Sequence, residues 1–260
     1  KQVAPVIGLD QESFVYDGTA KEPVVTLTAD GSTIPAGEYT VAYSGNVNVG
    51  TATETVTAKA GGNYTFTNAP VTKNFTITEE AAKVTAKPEA AGDPLVFNNR
   101  AQKLVTAGAG TGGTMVYSLW ENDPAHPYEE TIPTGFNAGE YTVFYKVAGD
   151  GNHSDSQVGS VAVTISPKTV KDPTIELLDE NDAPLVSYTY DSSAKTPQVV
   201  VKDGSTEIAS IEYNIVYGDN TDAGRATVSI TDKPGGNYTV TGSATFVITK
   251  ADIVFNPAPV

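Results

Sequence analysis

The sequence predicts an all-β chain built as a tandem array of small two-sheet sandwiches, and three observations predict it. The chain repeats itself: Tyr16-Asp17-Gly18-Thr19-Ala20-Lys21-Glu22-Pro23 returns as Tyr190-Asp191-Ser192-Ser193-Ala194-Lys195-Thr196-Pro197, and the same offset carries Tyr39 onto Tyr213, Tyr43 onto Tyr217, Gly50 onto Gly224 and Asn63-Tyr64 onto Asn237-Tyr238. Within each copy the apolar period is two, as in Tyr39, Val41 and Tyr43 or Ala226, Val228 and Ile230, which marks half-buried antiparallel strands. Gly- and Asn-rich turns such as Gly61-Gly62-Asn63 punctuate these runs, at positions where left-handed backbone costs little. No segment carries a convincing helical pattern; Glu79-Glu80-Ala81-Ala82-Lys83 reads as a linker.

A third copy lies between the first two. Asn137-Ala138-Gly139 matches Asn48-Val49-Gly50 and Asp222-Ala223-Gly224, and after each of these Gly residues the same spacing leads to Asn63, Asn152 and Asn237. Each copy closes on a strand: Asn74-Phe75-Thr76-Ile77, Ala162-Val163-Thr164-Ile165 and Thr245-Phe246-Val247-Ile248. The expected modules are therefore 1–79, 80–167 and 168–250, with 251–260 reading as the first strand of a truncated fourth. Several short strands in so few residues fit a two-sheet sandwich. Linkers of a few residues, Glu79-Glu80 and Pro167-Lys168, favour a semi-rigid rod-like array over a flexible string.

Composition excludes several function classes. Formal net charge is −15 over 260 residues, acidic residues outnumber basic ones in every third of the chain, and no basic cluster exists to neutralise phosphates. Nucleic acid and anionic membranes are therefore not expected partners. With no cysteine, disulfides, thiolate metal sites and cysteine nucleophiles are ruled out. No apolar run reaches the roughly 20 residues of a membrane helix, so no membrane insertion is expected within this segment. Lys1 is not a start Met, and the chain reads as a processed or excised piece of something longer.

The frame Tyr-Asp-Gly-x-Ala-x-x-Pro, Glu-Tyr-Thr-Val-x-Tyr, Asn-x-Gly-Thr-Ala-Thr, Gly-Asn-Tyr and Phe-Thr-Ile resembles bacterial immunoglobulin-like repeats. The middle copy resembles a sister type through Asn99-Arg100-Ala101-Gln102-Lys103-Leu104-Val105, Asn137-Ala138-Gly139-Glu140-Tyr141-Thr142-Val143 and Gly149-Asp150-Gly151-Asn152-His153. The resemblance implies immunoglobulin-like sandwiches in a secreted or cell-surface bacterial protein, as stalk, spacer or adhesive module, with a host or bacterial surface protein or glycan as partner. It implies no enzyme.

Candidate chemistry sits where the copies disagree. Trp120, His126 and Tyr128 share a loop that the other copies lack; an exposed Trp and Tyr near a His stack on a sugar ring or anchor a protein contact, whereas the alternative is a Trp folded over its own module. A glycan- or protein-binding loop is thus one alternative function, and an accessory region of a large extracellular hydrolase is another. Asp179-Glu180-Asn181-Asp182 gathers the oxygen ligands that suit calcium, with Asp179 and Asp182 as weak candidate ligands, against a solvated acidic turn; no other cofactor is expected. His153 stands where the other copies carry Tyr64 and Tyr238, which suggests packing beside the turn. Glu54 breaks the register, because it occupies the core-facing position of Val143 and Val228. A buried carboxylate there costs several kcal/mol unless paired or neutralised. It is explained by a Lys partner, by a place near the open end of the sandwich, or by a Lys–Asn isopeptide crosslink with Glu54 as proton shuttle.

Overall fold

The computed structural model describes residues 1–92 and 94–253, so most of the expected fourth-module strand, residues 254–260, lies outside the described residues. The chain is all-β: besides strands, the described residues hold two three-residue 3-10 turns, Ala36–Glu38 and Ser210–Glu212, and no α-helix. Two compact units form. One comprises residues 1–89, 105–133 and 143–161, the other residues 90–104, 134–142 and 162–260, so the repeat 80–167 is divided between them.

In the first unit, residues 1–79 make two facing sheets. Val6–Leu9, Val25–Ala29 and Ser32–Thr33 form one; Ser13–Val15, Val71–Thr78, Gly50–Ala58 and Tyr39–Ser44, in that spatial order, form the other. The chain changes sheets between Leu9 and Ser13: Val6–Leu9 pairs antiparallel with Val25–Ala29, and Ser13–Val15 runs parallel beside Val71–Thr78. Alternation sends Leu27 and Ala29 inward from one sheet and Ala52, Val56, Phe75 and Ile77 from the other, giving an immunoglobulin-like sandwich. The unit also holds a hairpin in which Gly113–Ser118 pairs with the last six residues of the strand Gly139–Gly149.

The second unit repeats the arrangement. Thr174–Leu178, Gln198–Asp203 and Thr206–Ile208 face Tyr188–Thr189, Gly242–Thr249, Gly224–Asp232 and Tyr213–Gly218, over a core that includes Val201, Ile208, Val228, Ile230, Phe246 and Ile248. In the same unit Leu95–Val96 runs parallel beside Ile165 and Ser166, and Gln102–Lys103 pairs with Thr134–Gly135.

The repeated sequence motifs are explained by hydrogen bonds that pin one end of each sandwich. Tyr43 Oη donates to the Pro23 carbonyl at 2.7 Å, and Tyr217 Oη to that of Pro197 at 2.8 Å. Asn46 and Lys21 exchange bonds, Nδ2 to the Lys21 carbonyl at 3.0 Å and the Lys21 N–H to the Asn46 carbonyl at 2.8 Å; Asn220 and Lys195 do the same at 2.9 and 2.7 Å. Asp17 and Asp191 each accept a backbone N–H two residues on and bind Lys21 or Lys195. The lysine, followed by the turn donors, holds both carboxyls below the usual carboxylate range.

Each repeat opens with a short strand parallel to the residues that follow its Gly-Asn turn. Gln2–Val3 pairs with Thr65–Phe66, Glu80–Ala81 with His153–Ser154, and Lys168–Val170 with Tyr238–Val240. The linkers are shorter than the sequence suggests: only Glu79 separates Val71–Thr78 from Glu80–Ala81, and only Pro167 separates Gly159–Ser166 from Lys168–Val170. Removing one pinning bond by Tyr217→Phe is expected to cost about 1 kcal/mol. Urea unfolding followed at the Gly224–Asp232 amides measures it; an unchanged midpoint would mean that the bond contributes nothing.

Candidate functional site

Five places carry the candidate chemistry: the two joints between repeats, the Trp120 loop, the Glu54 site and the acidic turn.

The joints arise from the Gly-Asn turns. In the first unit Asn152 Oδ1 accepts the Val49 N–H at 2.9 Å, and its Nδ2 donates to Asn48 Oδ1 at 3.3 Å. The next residue, His153, sets its ring edge-on to Tyr16, with centroids 5.2 Å apart. In the second unit Asn237 Oδ1 accepts the Ala138 N–H at 2.7 Å, Nδ2 donates to Asn137 Oδ1 at 3.3 Å, and Tyr238 packs edge-on against Phe97 at 5.3 Å. Both joints thus use one Asn amide in both directions, a backbone N–H, a second Asn and a pair of rings. Glu212 orients Asn237 by accepting its N–H and Nδ2 at 2.7 and 2.9 Å. Glu38 does the same for Asn63 at 2.6 and 2.5 Å, and those donors hold the Glu38 carboxyl below its ordinary value. Sequence reasoning placed the three Asn residues in turns and missed this second role, together with Glu38 and Glu212. The available signal was that Asn recurs at a position where Gly or Asp also makes a turn.

The Trp120 loop is closed at its base by Tyr117 and Glu129, which exchange backbone bonds of 2.7 and 2.9 Å. Buried Ser118 accepts the Trp120 N–H at 3.0 Å and donates to the His126 carbonyl at 3.4 Å. Asp123 accepts the Ala125 N–H at 2.9 Å and meets His126 Nδ1 at 2.8 Å; that contact, then the Ala125 amide, holds its carboxyl below the usual range. The imidazole is thereby fixed over one face of the indole, with centroids 3.9 Å apart and planes 17° from parallel, while Trp120 stays 46% exposed. Tyr128 is held apart from this stack. Its ring lies under the Lys146 ammonium, 5.0 Å from the centroid, and its hydroxyl is buried without a partner among the described residues. Burial, then the Glu121 charge, pushes the Tyr128 phenol up.

Glu54 is fully buried, and neither carboxylate oxygen has a hydrogen-bond partner among the described residues. Its cross-strand neighbours are Tyr43, whose hydroxyl goes to the Pro23 carbonyl, and Lys73, whose ammonium goes to Glu12 at 2.5 Å. The following amide, Asn74, lies on the exposed face and accepts a bond from Thr53 at 3.0 Å. In the last repeat the corresponding cross-strand pair is Val228 and Ala244. The core responds: around Val228 it is one continuous cluster, whereas Glu54 stands between a cluster containing Leu27 and Val56 and a smaller one of Ala52, Phe75 and Ile77. Burial pushes the Glu54 carboxyl up to about 7, against the pull of Lys73.

Asp179 and Asp182 lie in the turn after Thr174–Leu178. Asp179 Oδ1 accepts the N–H groups of Asn181 and Ala183 at 2.8 and 3.0 Å, and Asp182 adopts φ 60°. The first carboxylate thus satisfies the turn's own amides, and among the described residues no three Asp, Glu or His side chains converge as metal ligands do. No helix among the described residues is long and apolar enough to cross a membrane.

No family profile matches the chain, and no curated protein does. Among solved structures, the protocadherin GammaB4 extracellular domain is 12% identical over 96% of this chain and 51% of its own, with a TM-score of 0.26. The protocadherin gammaB7 EC3-6 cis-dimer structure is 13% identical over 95% of this chain and 77% of its own, at 0.27. Domains 4–9 of the surface layer protein SbsC are 13% identical over 96% and 48%, at 0.21. The chain thus spans about half the length of the first and third of these, and superpositions at this level carry no functional argument.

Glu54 generates a pH prediction. Its folded value of about 7 lies above the ordinary 4.5, so its favourable contribution is complete below about 4.5 and is lost as pH rises through about 7. The deficit at pH 8 is roughly 3 kcal/mol. Glu54→Gln is expected to match the parent near pH 4.5 and to exceed it by that order at pH 8, in urea unfolding followed at the Gly50–Ala58 amides. A pH-independent difference between the two chains would refute the assignment.

Proposed function

We propose that this chain is a non-catalytic structural segment of a secreted or cell-surface protein, whose tandem modules space or display neighbouring parts and contribute to adhesion. The observation that carries the reading is the joint made twice with the same chemistry. A single linking residue, an Asn amide bonded in both directions and an edge-on ring pair restrict how consecutive repeats turn about one another. A module whose only task is to hold a ligand needs no such joint, whereas a spacer does. The resemblance of the repeats to bacterial immunoglobulin-like surface modules supports the same setting.

The absence of cysteine makes the test clean. Dyes on Ser32→Cys and Glu130→Cys, both exposed and both in the first unit, report the distance across the first joint. A single narrow distribution is expected, and Asn152→Ala is expected to broaden it, since two hydrogen bonds of about 1 kcal/mol each are lost. An equally narrow distribution in the variant would overturn the stiffening role.

One observation favours a second reading, in which the Trp120 loop binds a glycan or protein. The indole is held in place by His126 and remains 46% exposed, a preformed flat surface. Trp120 is the sole tryptophan, so its emission reports binding directly. Glycan-array signal together with an emission shift, both lost in Trp120→Ala, is the expected result; array signal that survives the substitution would place binding elsewhere.

A further inference from the structure

The second joint carries a hollow of about 490 Å³ beside its ring pair, a volume within the range of small-molecule sites. Asn98, Asn99 and Arg100 reach it from the turn after Leu95–Val96, and Lys168, Thr206 and Tyr238 reach it from the last repeat. All of them lie in the second unit. Among the described residues no acidic side chain lines the hollow, although the chain has a net charge of −15.

The first joint keeps the same frame and reverses the charge. Its turn matches: the Thr19 N–H bonds Asp17 Oδ1 at 2.9 Å as the Arg100 N–H bonds Asn98 Oδ1 at 3.0 Å, and Gly18 at φ 80° corresponds to Asn99 at φ 59°. Glu80 and Lys168 are also equivalent, since each begins the short parallel strand that pairs with His153 or Tyr238. Asp17 and Glu80 therefore stand where the second joint has Asn98 and Lys168, and Thr19 stands where it has Arg100. Both acids of the first joint are taken up locally, Asp17 by Lys21 and Glu80 by Lys83. At the second joint Lys168 pairs with Asp203, whereas exposed Arg100 bonds through its backbone and its guanidinium has no ion-pair partner among the described residues.

The lining selects a ligand chemistry. A guanidinium presents a planar fork that grips a carboxylate at two points, and Lys168 adds a second cation to the same hollow. The Asn amides and the Thr206 and Tyr238 hydroxyls offer both donors and acceptors, which suits the hydroxyls of a sugar ring. A peptide strand is less well served: Leu95–Val96 is the edge of its sheet, and the Val96 carbonyl is already capped by Gln102 Nε2 at 3.1 Å. A polyanion is opposed by the net charge of the chain, which favours one carboxylate per ligand. We propose that this hollow binds a sugar bearing a single carboxylate, with Arg100 gripping the carboxylate and Lys168 adding its charge. The site goes beyond the spacer role, uses none of the Trp120 loop, and draws its groups from both repeats, so a bound sugar bridges the joint.

Chemical-shift titration of the full chain tests the site. Methyl glucuronide and sialyllactose represent the uronic and sialic sources of such a group, and methyl glucoside and lactose are their neutral counterparts. Saturable shifts at the amides of 96–100, Lys168 and Thr206 are expected with at least one acidic sugar, and whichever binds more tightly identifies the source. Its neutral counterpart is expected to bind at least about tenfold more weakly, since a charge-assisted pair is lost. Arg100→Gln is expected to weaken the acidic sugar by about tenfold for the same reason, and Arg100→Lys, which keeps the charge without the fork, to fall between. Unchanged Ile165 and Ser166 amides in both variants confirm that the pairing with Leu95–Val96 is intact. The proposal is overturned if neither acidic sugar shifts these amides, if a neutral counterpart binds as tightly, if Arg100→Gln binds like the parent, or if a capped Gly-Glu-Gly peptide binds more tightly than either sugar. Shifts confined to the Trp120 indole N–H also overturn it, and place binding at that loop instead.

Discussion

The repeat architecture depends on one side-chain amide. Asn152 and Asn237 each accept a backbone N–H from the preceding repeat and donate to its Asn, so the same group satisfies a donor and an acceptor at the junction. No other uncharged side chain of that length does both at once: aspartate only accepts when ionised, and a serine hydroxyl is too short to span the gap. The requirement propagates outward. The N–H that donates to this amide must project from the turn, which calls for Gly50 and Gly139 at positive φ, where an added Cβ would meet no neighbour and only the backbone conformation keeps the glycine. The Asn amide must be held still, which Glu212 does for Asn237. The linker must be short, and it is a single residue.

Much of the fold was legible in the sequence because its determinants are local. Alternation in Arg225-Ala226-Thr227-Val228-Ser229-Ile230 specifies which residues face the core, and Ala226, Val228 and Ile230 are indeed buried. The turns were legible because glycine and asparagine bear the backbone strain there. The joints were not, because Asn152 and Val49, whose N–H it accepts, lie 103 residues apart and nothing in a turn reveals what its side chain reaches. His153 shows the limit well. The sequence places it beside its own turn, where its Nδ1 does meet Asp150 Oδ1 at 2.8 Å, but nothing in the sequence shows that its ring also packs edge-on against Tyr16 of the preceding repeat. Lys73 was missed for a related reason: the break at Glu54 is visible in one strand, whereas its counterpart becomes visible only once cross-strand register is known.

Glu54 and Lys73 also show how a repeat tolerates a change that a single strand would not. Replacing Val228 by Glu alone would bury a charge; replacing the pair Val228 and Ala244 by Glu54 and Lys73 brings a cation to the facing strand. The ammonium nevertheless serves Glu12, and the carboxyl accommodates burial by holding its proton up to about pH 7. The cost is a core interrupted between Leu27 and Phe75, where the last repeat packs continuously. Among the described residues Glu54 is the buried charged side chain, so it is the first sandwich whose stability responds to pH through a buried carboxyl.

The distribution of chemistry along the chain follows from this division of labour. Residues that recur between copies are committed to pins and joints: Tyr43 and Tyr217, in the first and last repeats, to a proline carbonyl, and Asn152 and Asn237 to the preceding repeat. Such positions are not open to ligand-specific change, because altering one breaks a bond on which its neighbours rely. Recognition must then evolve where the copies differ, insertions included, because there the scaffold does not constrain the sequence. The Trp120 loop meets that condition, since buried Ser118 and the Tyr117–Glu129 pair anchor its base while the indole stays 46% exposed. A loop closed at its base can change its tip without disturbing a joint, which is what a modular array needs if one repeat is to acquire a surface that its sisters lack.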